Sequence, residues 1–216
     1  MDYYNLLVDT KREFTNYLLS SLFPEINKGI FSIYNNCKQF KTNTLPTFQE
    51  MLSEIPKWNK NIINNETMRI KKKIVYIEDL LTAVFISNMR LLCSIKNTNK
   101  KMKVKVPKLE IFIHKCYIQC ARELWQSSYL FCENTDKLTI QKNKRHIDYL
   151  IKTSIEEVIR KLLPIKTILA DYLETNLSEN TLCEVNNSLI DIINTQSNNI
   201  SMNKDNNNVN NDNNVN

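Results

Sequence analysis

The sequence predicts an all-α protein: a single compact multi-helix domain with a disordered, asparagine-rich C-terminal tail. Three observations lead there. The 216 residues include one glycine, Gly29, and tight β-hairpins favour Asn-Gly or Gly-X turns, so a sheet of many hairpins is disfavoured. Apolar residues recur at spacings of three and four through most of the chain, the period of helices with one face in a core. From about Asn194 the sequence turns to Asn, Asp, Ser and Lys, too poor in apolar side chains to offset the entropy of ordering. The helical domain is placed at residues 1–175, a weakly helical or loose extension at 176–193 and the tail at 194–216.

Each element has its own signal. Tyr3 to Leu22 carries Leu6, Leu7, Phe14, Tyr17, Leu18 and Leu22 on one side and reads as a helix ending near Pro24. Pro24-Glu25 suits the first turn of a second helix, where the missing proline N–H costs nothing. That helix runs through Ile26, Ile30, Phe31, Ile33 and Tyr34. Gly29 lies inside it at a cost of up to about 1 kcal/mol relative to alanine, which a close helix crossing would explain. Lys41 to Leu45 reads as a loop. Thr47-Phe48-Gln49-Glu50 reads as a capping box opening a short helix that stops before Pro56. Trp58 begins a helical stretch that reaches the basic run Arg69 to Lys73.

Ile77 to Ile95 is the strongest helix, with apolar residues around much of its circumference. Met102, Val104 and Val106 then alternate with lysines. With no partner strand in sight, an extended linker is preferred to an edge strand. Pro107 opens a helix carrying Leu109, Ile113, Cys116, Tyr117, Cys120, Leu124 and Trp125. After a loop near Cys132 to Asp136 a long helix runs to Leu163, with Ile147, Ile151, Ile155, Val158 and Ile159 on one face. Glu156–Arg160 and Glu157–Lys161 support it as i,i+4 pairs. Pro164 ends it, and Ile165 to Leu173 reads as one more short helix.

The same composition limits function. One glycine excludes Rossmann fingerprints, P-loops and nucleophile elbows, which need several for tight turns and close backbone approach. The net charge is +6, carried mostly by lysine, beside six arginines and 31 asparagines. Asn, Lys and Ile have A/T-rich codons, so part of this skew reads as nucleotide bias. The six cysteines follow no apolar leader: Met1 to Phe14 carries five charged residues. Reduced thiols in a cytosolic setting, and no secretion, are therefore expected. The apolar run Leu80 to Ile86 is too short to span a membrane.

Candidate chemistry is thin. His114, Cys116 and Cys120 share one helix and are the candidate metal ligands. A fourth donor would have to come from Cys93, Cys132 or His146, and zinc knuckles usually space cysteines by two. Buried thiols acting as small hydrophobes are the preferred reading. A Cys/His nucleophile, Cys116 or Cys132 with His114 or His146, has no orienting third group nearby. Glu78-Asp79 and Glu156-Glu157 are adjacent pairs that do not face each other on a helix. No catalytic residue and no cofactor is assigned, and the protein is read as non-enzymatic. The basic signal is stronger. From Arg69 to Lys105 there are ten basic and two acidic residues, whereas beyond Leu150 there are five basic and nine acidic. Arg69, Lys71, Lys72, Lys73, Lys100, Lys101, Lys103 and Lys105 are the candidate nucleic-acid contacts, with Lys142, Lys144, Arg145 and His146 as a second cluster.

Four blocks carry a family resemblance. They are Ile55-Pro56-Lys57-Trp58-Asn59 with Glu66-Thr67 and Arg69-Ile70; Glu78 to Ser87; Phe112 to Ile118 with Ala121 to Trp125 and Tyr129-Leu130-Phe131; and Asn143-Lys144-Arg145 with Ile159 to Pro164. In this order they resemble a family of uncharacterised proteins of nucleocytoplasmic large DNA viruses, over roughly Leu45 to Leu173. Val75-Tyr76 departs from the Asp-Trp usual there, and the glycine often found after Leu173 is absent. The resemblance implies a viral protein made in the host cell cytoplasm, with a place in the virion as an alternative, and it carries over no catalytic residue. It points to Trp58, His114, Arg122, Glu123 and Trp125 as candidate interaction residues, with Arg122 and Glu123 in buried or interface pairs and core packing the default for Trp125. The expected role is contact with a viral or host protein, self-association included, in virion structure or assembly. The alternative is a basic nucleic-acid-binding factor in viral transcription or genome packaging.

Overall fold

The structure is a computed structural model that describes residues 3–39, 43–94, 106–166 and 169–170. The chain divides into two units, Met1–Pro164 and Ile165–Asn216. Every element named below belongs to the first. Of the second, residues 165–166 and 169–170 are helical. The expected extension and tail lie outside the described residues, as does most of the linker around Lys101 to Lys105.

Six α-helices and two 3-10 turns occur among the described residues, with no strand. The helices are α1 (Tyr3–Cys37), α2 (Thr44–Glu54), α3 (Lys60–Lys73), α4 (Ile77–Ser94), α5 (Leu109–Gln126) and α6 (Lys137–Leu162). The 3-10 turns are Ile55–Lys57 and Ser128–Phe131. The all-α fold class is therefore as expected. The long α1 packs on α4, α6 and α2, while α5 packs on α6, α2 and α3. The core runs along these contacts, from Leu18, Leu22, Ile26 and Ile30 of α1 to Phe112, Tyr117 and Leu124 of α5 and Ile151 and Ile155 of α6.

Two boundaries differ from expectation. Pro24 does not separate two helices; it sits inside the 35-residue α1. Leu18, Leu22, Ile26 and Ile30 are each fully buried in steps of four across it. That continuous apolar line outweighs the single backbone hydrogen bond a proline removes. The Thr47 capping box is also absent, because α2 begins four residues earlier than that cap would place it. Its cap position is Asn43, whose carbonyl accepts from Thr47 N at 2.9 Å. Pro46 falls in the first turn, where its missing N–H has no intrahelical partner anyway. Two other starts have side-chain caps. Asn59 accepts from Ile62 N at the head of α3, and Asp136 accepts from Thr139 N at the head of α6. Thr139 also holds the Asp136 carboxyl below its ordinary range. The helix expected from Pro107 begins at Leu109.

An aromatic cluster closes the end of α1. Tyr34, Phe48 and Phe131 meet with ring centroids 4.6–5.3 Å apart. The Tyr34 hydroxyl donates to the Phe131 carbonyl at 2.6 Å. Burial, then the Glu133 carboxylate, push that phenol up to about 12.

Candidate functional site

Two features converge on α5, one on its inner face and one on its outer face. The inner one begins with Gly29. A methyl group there would lie 2.8 Å from Tyr117 Cζ and closer still to its hydroxyl. The glycine therefore makes room for a phenol reaching in from α5, and this is the close approach its position called for. The Tyr117 hydroxyl donates to Glu66 Oε1 of α3 at 2.5 Å. Glu66 also accepts from Arg69, at 2.9 Å from Nε and 2.7 Å from Nη2. Arg69 reaches on to α1, where it pairs with the Glu25 carboxylate and donates to the Glu25 carbonyl at 2.7 Å. One chain of charge-assisted hydrogen bonds thus joins α5, α3 and α1.

Electrostatics fixes the protonation of this cluster. Burial, reinforced by the Glu66 carboxylate, raises the Tyr117 phenol well above its ordinary range, so it stays a neutral donor. Hydrogen bonding to Glu66 raises the Arg69 guanidinium despite its partial burial. Both Glu66 oxygens and all three Arg69 nitrogens are engaged inside the cluster, which makes it a clamp between helices. Trp58 lies beside it, half-buried, with its ring 5.1 Å from that of Tyr117 and stacked near His114 at 6.1 Å. His114 Nε2 is 2.9 Å from the Ile55 carbonyl.

The structure redistributes the other candidates. Arg69, expected as a nucleic-acid contact, is held by Glu25 and Glu66, and Lys71 pairs with Glu78 at 2.7 Å. Lys72 and Lys73 are exposed. Lys100, Lys101, Lys103 and Lys105 lie outside the described residues. Cys116 and Cys120 are buried. Burial raises both thiols, Cys120 to about 12, which keeps them protonated and poor as nucleophiles or ligands. No group of three or more His, Cys, Asp or Glu side chains is placed to hold a metal among the described residues. His146, Lys142, Lys144 and Arg145 are exposed on α6.

Trp125 is the main correction. Expected by default in the core, it is 46% exposed. The reason is angular: Leu124 faces inward, and Trp125, the next residue, is turned about 100° away from it, toward the side of the exposed Arg122. Arg122 and Glu123 do not pair. Glu123 accepts from Gln119 at 2.9 Å, and Lys161 of α6 donates to Gln119 at 3.1 Å. Arg122 points outward on the side of Trp125 and has no ion pair among the described residues.

This exposes the outer feature. Ile111, Lys115, Ile118, Arg122 and Trp125 follow one another at steps of four and three and form a single stripe along α5. Two clefts flank it. One, about 600 Å³, lies toward α3, between Ile63 and Lys60 on one side and Ile111 and Ile118 on the other. The second, about 230 Å³, lies toward α2 and the first 3-10 turn, between Leu52 and Pro56 on one side and Ile118 and Trp125 on the other. Ile118 belongs to both, so the clefts continue one another along the helix. The periodic reading of α5 assigned its buried residues and left this second stripe unread, although the step-four-step-three pattern was visible.

A sequence-family model matches residues 4–132, more than half of the chain. The chain belongs to DUF5764, a family of unknown function. The DUF5764 match spans α1 to α5 and the second 3-10 turn, and so includes the clamp and the whole outer stripe; it stops before α6. No curated protein and no solved structure matches this DUF5764 chain. No helix among its described residues is long and apolar enough to cross a membrane.

Proposed function

We propose that this protein works without catalysis, by binding another protein through the outer face of α5. The observation that carries the reading is Trp125. A tryptophan is left 46% exposed at one end of an apolar stripe, beside a cleft that continues along the helix. Half-exposed aromatic side chains next to pockets are typical anchors of protein contacts. The buried titratable groups support the same reading, because Tyr117, Glu66 and Arg69 are tied to one another and the core thiols stay protonated. The four sequence blocks that resemble proteins of large DNA viruses suggest the setting: a viral or host partner in the infected cell, in virion structure or assembly.

The test places a photo-crosslinking benzoylphenylalanine at Trp125 and, separately, at the exposed Tyr149 of α6, in cells that express the full chain. The reading expects a discrete adduct protein from position 125 and none of that mass from position 149. No adduct at 125, or the same adduct from both positions, overturns it.

A second reading rests on a different surface. Lys142, Lys144 and Arg145 are exposed along α6 with no ion pair among the described residues. They suit an electrostatic contact with nucleic acid, whose affinity falls steeply with salt. If duplex DNA and single-stranded RNA fail to bind at low salt, or if charge reversal of these three leaves binding unchanged, this reading falls.

A further inference from the structure

We propose that the outer groove of α5 takes an acidic amphipathic helix from a partner protein. The inference rests on the protein-contact reading above and names the chemistry of the partner. The apolar positions of the stripe are Ile111, Ile118 and Trp125, spaced by seven residues. Seven residues are two turns, so the three anchors lie on one line about 21 Å long. A facing helix of about 14 residues spans that length and offers apolar side chains at the same repeat, the pattern by which helices dock in grooves.

Charge selects the occupant. Lys115 and Arg122 alternate with the apolar anchors on the stripe itself, and both are exposed. Lys60 and Lys108 line the wider cleft against one acid, Glu110. None of these four basic side chains has an ion pair among the described residues, so the groove carries uncompensated positive charge around an apolar line. An apolar peptide alone would leave that charge unanswered. A helix with carboxylates flanking its apolar seam answers it, and a helix with lysines there would be repelled.

Two other occupants fit less well. A second copy of this chain pairing α5 on α5 about Ile118 sets Lys115 against Arg122 of its mate, and a parallel pairing sets like on like, so both directions gather four positive charges. A nucleic-acid backbone answers the charge and has no side chains to bury Ile111, Ile118 and Trp125.

The test uses the full chain and two fluorescein-labelled peptides of roughly 18 residues. Both have the same leucine heptad seam; one carries glutamate at the flanking positions and the other lysine. Fluorescence anisotropy measures binding, and far-UV melts check that each variant folds. The expected result is binding of the glutamate peptide about tenfold or more tighter than the lysine peptide, weakened by salt. Lys115→Glu with Arg122→Glu is expected to reverse that preference, and Trp125→Ala to weaken both peptides. Equal binding of the two peptides, or an unchanged preference in the charge-reversed variant, overturns the acidic partner. In that case loss of binding in Trp125→Ala still supports the protein-contact reading. If neither peptide binds, the proposal falls, and the crosslink at position 125 decides separately whether the contact reading falls with it. Duplex DNA that competes for the groove in a Trp125-dependent way would likewise overturn it.

Discussion

Gly29→Ala is the sharpest probe of the packing around α5. In an ordinary helix interior this substitution stabilises by about 1 kcal/mol, because alanine loses less backbone entropy and has the better helix propensity. Here the added methyl would overlap the Tyr117 phenol, 2.8 Å from Cζ and nearer still to the hydroxyl. The ring cannot swing aside cheaply, since it is fully buried and its hydroxyl is tied to Glu66. Overpacking a filled site costs about 1–3 kcal/mol. Losing a buried hydrogen bond to a charged acceptor costs about 1.5–3 kcal/mol more. Set against the helix gain, the net loss is about 1.5–5 kcal/mol, or about 10 °C in Tm at the middle of that range for a domain of this size. Urea titration followed by circular dichroism reads it directly. In a Tyr117→Leu background, where the side chain no longer reaches α1, Gly29→Ala is expected to become neutral or stabilising by up to about 1 kcal/mol. A single variant as stable as the natural chain, or more so, would refute the close contact.

Three further outcomes follow from the same geometry. Stability should decline as pH rises above about 9: Cys120 and Tyr34 are held up to about 12 and Tyr117 and Cys116 are also raised, so the unfolded chain loses these protons first and is favoured progressively; urea midpoints that stay flat from pH 8.5 to 11 would contradict this. Trp125→Ala should shift Tm by no more than about 1–2 °C, whereas Trp58→Ala, which removes the ring packed on Tyr117 and His114, should cost about 2–3 kcal/mol; thermal melts of the two variants decide between them. Arg69→Ala should cost about 2–3 kcal/mol, since it leaves the Glu25 and Glu66 carboxylates unpaired where side chains are only 16% and 18% exposed; a loss under about 0.5 kcal/mol in urea titration would mean the cluster does not clamp the helices.

The sequence carried the helices because each has a local cause: apolar residues on one face, Asn59 or Asp136 at the cap, Pro164 beyond the last turn. It misled at Pro24 and Thr47 because proline and a capping motif are local votes, and the buried line across α1 and the earlier start of α2 are decided by packing. Gly29 signalled a close approach, but its partner lies 88 residues away and nothing in either neighbourhood names it. Glu66 and Arg69 stand three apart in the sequence, but their pairing went unread, and the reach of Arg69 to Glu25 needed the fold. Trp125 was assigned inward because aromatic residues usually are; only the burial of its neighbour Leu124 settled which way its helix turns. The charge count between Arg69 and Lys105 was correct as arithmetic, yet it could not tell that Arg69 and Lys71 spend their charge inside the protein.

The length of α1 has a consequence for how the protein is made. Its apolar line is completed by α4 and by α6, and Asn27 meets Asp148 across 121 positions. α1 therefore waits for α6, which leaves the ribosome much later. At about 5–20 residues per second, the stretch from Cys37 to Leu162 takes roughly 6–25 s to synthesise. Throughout that time Leu18, Leu22, Ile26 and Ile30 have no complete surface to cover them. Such a transiently uncovered apolar line is the kind of surface that aggregates or needs protection during synthesis. Ribosome-bound chains long enough to expose α1 to α4 should show α1 covered by α2 and α4 and still open toward α6, and a proteolysis-resistant domain should appear only once α6 has cleared the exit tunnel.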